Sequence, residues 1–140
     1  MRPIVRLPVA EVSNVAQSAN ECYLPNVTAE NDLSSKQCYF VEKGAAAGQV
    51  DVPDSAGDLV LGVLCNKPTA GQAALVQCAG VAKVKCGGAI SYGDRVGTTN
   101  AGKAVAKAAA DDLVAGIALE DGVDGDIISV LLTPGAQRSA

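Results

Sequence analysis

The chain has 140 residues, 49% of them hydrophobic, and a net charge of −4 from 11 basic and 15 acidic side chains. That fits one small domain with ample apolar matter for a core, and too much for disorder. The absence of His excludes Ser-His-Asp and Cys-His nucleophiles, His-ligated metals and a histidine pH switch, and the acidic balance argues against a nucleic-acid partner.

The core has little aromatic material to draw on, with no Trp, one Phe and three Tyr, so it must come from Val, Leu, Ile, Ala and Cys. Fifteen Gly and six Pro argue against a long-helix bundle. Residues 1–10 carry Pro3 and Pro8, which lack amide donors and restrict their predecessors, so the stretch reads as an extended arm. Its apolar residues Ile4, Val5, Leu7 and Val9 cannot bury themselves in so short a segment. They lie on the chain's own sheet as an edge strand, or on a partner. The arm lacks the continuous apolar stretch of a secretory signal. No run in the chain approaches the roughly 20 apolar residues of a membrane helix, so no membrane partner is expected. Residues 11–37 are polar and acidic, a loop-like connector packing locally through Val12, Val15, Tyr23 and Leu24.

From residue 38 the text turns into short β-rich runs cut by turn residues. They are 38–42, 49–52, 59–64, 73–78, 82–86, 95–98, 103–105, 114–119 and 127–132. Close, regular spacing of this kind marks a sandwich or barrel. In Ala82-Lys83-Val84-Lys85-Cys86 the small apolar residues share one face and the lysines the other. Leu59, Leu61, Val63 and Cys65 are expected on one face, as are Ile128, Val130 and Leu132. Thr99-Asn100-Ala101-Gly102 is a turn between two strands, with Asn and Gly available for positive φ. Only 104–112 has helical propensity, enough for one or two turns. The expected fold is all-β: a small β-barrel or sandwich of short antiparallel strands with an extended N-terminal arm.

Five cysteines, at 22, 38, 65, 78 and 86, cannot all pair within one chain, and none forms a C-x-x-C knuckle. They read as reduced, packed small hydrophobes, with disulfide or metal roles as the alternative. Charge falls in blocks: residues 1–66 carry net −4, 67–110 net +5 and 111–140 net −5. Such blocks complement one another across subunits or are ordinary solvated faces. The carboxylates at Asp111-Asp112, Glu120-Asp121 and Asp124/Asp126 sit in turn-rich text, where they cap and solvate rather than face each other across a cleft. The run from Asp121 to Asp126 lacks the later bidentate Glu and the flanking helices of an EF-hand. Cys86 follows Lys85, but neighbours on a strand point to opposite faces, so the lysine cannot activate it. No catalytic residue, cofactor site or metal site is expected.

Several segments in order resemble a known family. They are Asp32-Leu33-Ser34-Ser35-Lys36-Gln37-Cys38-Tyr39-Phe40-Val41, then Gly62-Val63-Leu64-Cys65-Asn66-Lys67-Pro68 and Ala70-Gly71-Gln72-Ala73-Ala74. Gly80-Val81-Ala82-Lys83-Val84, Gly93-Asp94-Arg95-Val96, Gly102-Lys103-Ala104, Gly116-Ile117-Ala118-Leu119-Glu120 and 124–132 continue it. The set resembles the capsid cement, or head decoration, proteins of tailed bacteriophages over roughly 32–133. The cysteines at 38, 65, 78 and 86 and the long segment before residue 31 depart from the family pattern.

The resemblance implies a non-enzymatic structural protein. It would be made in the host bacterial cytoplasm and sit on the outer surface of the virion capsid. Its partners would be the major capsid protein, at junctions between subunits, and itself, as a homotrimer. The division expected is 1–31 arm and connector, 32–134 decoration domain and 135–140 tail. The expected capsid contact is the arm, through Arg2, Ile4, Val5, Arg6, Leu7 and Val9. A virion spike or fibre-base module, or a small ligand-binding β domain, is the alternative.

Overall fold

The computed structural model describes residues 21–56, 59–107 and 113–138, the last five of these by their backbone alone. Their regular structure is all strand. The strands are β1 (Cys22–Tyr23), β2 (Thr28–Ala29), β3 (Phe40–Lys43), β4 (Gln49–Asp51) and β5 (Gly62–Leu64). They continue with β6 (Val76–Lys85), β7 (Arg95–Thr98), β8 (Ala104–Ala106), β9 (Leu113–Ala118) and β10 (Ile127–Arg138). One sheet runs in the order β2-β4-β3-β5-β6-β10-β9-β7-β8, with β1 paired to β6 off that path. Its pairs are antiparallel except β2–β4, which is parallel. The sheet does not close into a barrel, and the all-β fold is consistent with a sandwich.

Two cores form, and adjacent residues of the central strands serve different ones. Phe40 and Val63 enter a larger core with Ala82, Val84, Val96, Ala118, Ile128 and Val130. Their chain neighbours Val41 and Leu64 enter a second core with Ala29, Leu33, Val50 and Val76. Strands covered on both faces bury successive residues. This overturns the single apolar face expected for the run from Leu59: Val63 and Leu64 are both buried, while Leu59 and Leu61 are exposed. The alternation expected for 82–86 and 128–132 holds, with Ala82, Val84, Cys86, Ile128, Val130 and Leu132 all buried.

The runs 73–78 and 82–86 join in one ten-residue strand, β6. What reads as a turn at Ala79-Gly80 is a bend inside it, where Gly80 takes φ 86°. Gln77, buried, spans this bend: its Nε2 donates to the carbonyls of Ala79 and Val81, both at 2.9 Å. Pairing changes along β6 as well. Its first part pairs with β5 and β1, and its part from Gly80 onward with β10.

Other differences have local causes. The first run starts at Phe40 instead of residue 38 because Cys38 takes φ 72°, outside the strand region. At 104–106 the β run read at 103–105 prevails over the helical propensity of 104–112: Ala104–Ala106 is a strand paired with β7, and residues 108–112 lie outside the described part. There tertiary pairing overrides alanine's propensity. Residues 22–29, within the loop-like connector, supply β1 and β2. β10 runs on past residue 132, with its ladder to β9 interrupted before resuming at Gln137↔Val114. Pro134, which has no amide to donate, stands in the gap.

At the far end of the sheet the β7–β8 turn meets β3, and the Phe40 amide donates to the Gly102 carbonyl at 2.8 Å. Gly102 takes φ 86°, and a Cβ there would stand 2.9 Å from the Phe40 carbonyl oxygen. The outermost strands are partly covered by bridges, Thr28↔Ala73 on β2 and Cys86↔Ala104 on β8.

Candidate interaction surfaces

The outer face of β6, β10 and β9 is a regular exposed surface. Burying Ala82, Val84, Ile128 and Val130 forces Val81, Lys83, Ile127, Ser129 and Leu131 outward. Register then sets the rows. Leu131 stands opposite Val81 on one side and Ile117 on the other, giving an apolar row across three strands. Val81 is 46% exposed and Leu131 40%. Two rows along, Lys85 stands opposite Ile127, itself 52% exposed.

Between those rows lies an ionic cluster. Lys83 Nζ donates to Ser129 Oγ at 2.8 Å and lies 3.7 Å from Glu120 Oε2, which accepts the Ser129 amide at 2.8 Å. The Glu120 carboxyl is held below the usual carboxylate range, chiefly by the Ser129 backbone amide, then the Ser129 hydroxyl, with Lys83 adding less. The lysine is thereby fixed by two neighbours. An exposed apolar row edged by positioned charges has the makeup of a protein contact, in which apolar area gives affinity and charges give register.

The loops at one end of the larger core form a second surface. Tyr92 is 72% exposed and Val123 59%. The carboxylates here are occupied with backbone amides: Asp94 accepts that of Ser91 and Asp126 that of Val123, each within its own turn, while Asp121 accepts that of Tyr92, distant in the chain. Asp124 lies 3.8 Å from Lys103 Nζ. Ile90 and Gly122 exchange two backbone hydrogen bonds of 2.9 Å, which tie the loops together. Asp126 caps its turn, as expected from its sequence setting, whereas Asp121 and Asp124 reach to Tyr92 and Lys103.

Cys86 is buried, and burial pushes its thiol above the ordinary value, with the nearby Asp126 adding to the effect. Lys85 lies on the opposite face, as alternation requires. A shallow cleft lined by Val60, Leu61, Cys78 and Leu132 has room for about one water molecule. The arm residues Arg2, Ile4, Val5, Arg6, Leu7 and Val9 lie outside the described residues. Of the rows on β6, β10 and β9, the shared face of Lys83 and Lys85 was read in the sequence and the exposed apolar residues beside it were not. Their signal was there, in Val81, Ile127 and Leu131, the outward partners of inward residues already legible.

The sequence profile of the phage cement proteins matches residues 20–132. The chain belongs to the phage cement protein family. Among solved structures it is similar to the head fiber gp8.5 N base of bacteriophage phi29, with a TM-score of 0.57 and 17% identity. That likeness covers 80% of this chain and 94% of the other, and shows a shared fold. Comparison with curated proteins gives no match. Family membership carries a structural role in decorating the phage capsid. The matched span includes β1 and β2 and every residue of the rows just described.

Proposed function

We propose that this cement protein binds the outer surface of a phage head at junctions between major capsid protein subunits and braces the shell against the pressure of packaged DNA. It does so without catalysis. The observation that carries the reading is the family match over 20–132, joined to a domain that offers an apolar, charge-edged face on β6, β10 and β9. The arm, through Arg2, Ile4, Val5, Arg6, Leu7 and Val9, anchors the protein, its arginines meeting acidic capsid loops. The domain associates with itself as a homotrimer, which multiplies weak contacts into durable retention. The likeness to a head fiber base supports a second reading, a fibre-base module sharing the fold and the head location but present in fewer copies.

The test is co-sedimentation of the purified chain with expanded heads that lack it, beside a version without residues 1–10. Saturable binding at a regular ratio to the major capsid protein supports the cement reading, and loss on truncation supports the arm as anchor. Absence of binding to expanded heads overturns it. Copy number per virion separates the two readings: hundreds for cement, tens or fewer for a fibre base.

A further inference from the structure

We propose that Cys22 and Cys78 are a redox pair whose disulfide staples β1 to β6. The geometry comes from register. Cys22 stands opposite Ala79 and Tyr23 opposite Gln77, so Cys78 is an extra residue on β6. A bulge of this kind turns the extra residue toward the face of the residue it opposes. Accordingly, the Cys78 thiol reaches the Cys22 backbone carbonyl, Sγ to O at 3.3 Å. Neighbouring strands hold such residues within the roughly 4.4–6.8 Å Cα separation that a disulfide accepts.

The two thiols differ in a way that orders the chemistry. Cys22 is exposed and Cys78 half-buried. The Cys78 thiol is pushed up by burial first, then by a hydrogen bond with the Cys22 side chain. With a small-molecule disulfide as oxidant, the Cys22 thiolate attacks one of its sulfurs, and one small thiol leaves. The Cys78 thiolate then attacks the Cys22 sulfur of the mixed disulfide, and the second small thiol leaves. Two protein thiols are oxidised, and one small disulfide is reduced to two thiols. The remaining cysteines are placed differently. Cys86 is buried in the larger core, and Cys65 directs its thiol at the Val63 carbonyl, 3.5 Å away. Burial chiefly raises the Cys65 thiol, with the charge of Cys38 adding to the effect, which makes Cys38 and Cys65 the competing pair.

The bridge ties the start of the described chain to the strand that carries the outer-face rows. A phage head leaves a reducing cytosol for an oxidising medium, where such a bridge forms and persists. The proposal does not depend on capsid binding.

The full-length chain is equilibrated with glutathione mixtures of increasing oxidised fraction, then unfolded and its free thiols titrated. The five thiols of the reduced chain fall to three, and peptide mass spectrometry joins Cys22 to Cys78. Cys22→Ser and Cys78→Ser each keep all four remaining thiols, whereas Cys65→Ser still loses two. Five persisting thiols, a lasting glutathione adduct on Cys22, a Cys38–Cys65 link, or a link between chains on a non-reducing gel would each overturn it. Because Cys22 is exposed, Cys22→Ser keeps the fold, and its circular dichroism spectrum provides the check.

Discussion

Replacing Gly102 by Ala tests how the sheet is held where it curls back on itself. Two effects add at this position. The first is conformational: φ is 86°, where a Cβ costs roughly 1–2 kcal/mol, partly offset by about 0.4–1 kcal/mol from a less flexible unfolded chain. The second is contact. The added Cβ would stand 2.9 Å from the Phe40 carbonyl oxygen, with Pro53 Cδ and Tyr39 Cδ2 both at 3.4 Å. The oxygen belongs to β3 backbone and cannot swing aside, so β3 and the β7–β8 turn must separate, straining the hydrogen bond from the Phe40 amide. Overpacking of this kind costs about 1–3 kcal/mol. Gly71 supplies the control, with φ 83° and nothing within 4 Å of a Cβ. Gly71→Ala therefore costs about 1 kcal/mol and Gly102→Ala about 2–4 kcal/mol. The assay is urea unfolding followed by far-ultraviolet circular dichroism, with the two variants and the parent sharing one m-value. If Gly102→Ala loses no more stability than Gly71→Ala, the β3 contact with the turn does not hold the sheet, and the account is wrong.

Three further outcomes are expected. Gln77→Leu strips the Ala79 and Val81 carbonyls of their donor at the β6 bend and lowers stability by about 1–3 kcal/mol, read from the urea midpoint; an unchanged midpoint would remove Gln77 from the account. Glu120 has a folded pKa below its unfolded value, so the unfolded chain binds the extra proton; its stabilisation is present above the unfolded pKa and lost as pH falls through the folded one. Glu120→Gln should flatten the acid limb of the stability–pH curve, and an unaltered limb would contradict this. Leu131→Asp places a charge in the exposed row beside Val81 and Ile117; it should weaken self-association or head binding at least tenfold in sedimentation while leaving the thermal midpoint within a few degrees. Undiminished association in both assays would exclude that face.

Much of the strand content was written in the sequence because alternation and turn residues are local signals. Ala82, Val84 and Cys86 are buried, and Arg95–Thr98 forms its strand as read. The turn capped by Asp126 was legible for the same reason, since an Asp two or three residues from an amide caps it without help from elsewhere. The family followed from an ordered set of short segments. What local pattern could not supply was pairing. Whether Ala79-Gly80 turns the chain or merely bends it depends on β1, β5 and β10 lying along β6 and on Gln77 reaching across the bend. At 104–106 local pattern offered both a β run and helical propensity, and the strand wins because β7 offers it a ladder; Phe40 and Val41 part toward separate cores because both faces of β3 are covered. Cys22 and Cys78 are 56 residues apart in the chain and meet only through a bulge. The sequence determined the class of fold, the turns and the family, all carried by neighbours along the chain. The tertiary structure alone decided which strands meet, and with them the outer-face rows and the thiol pair, because contacts between distant residues are set by register and not by composition.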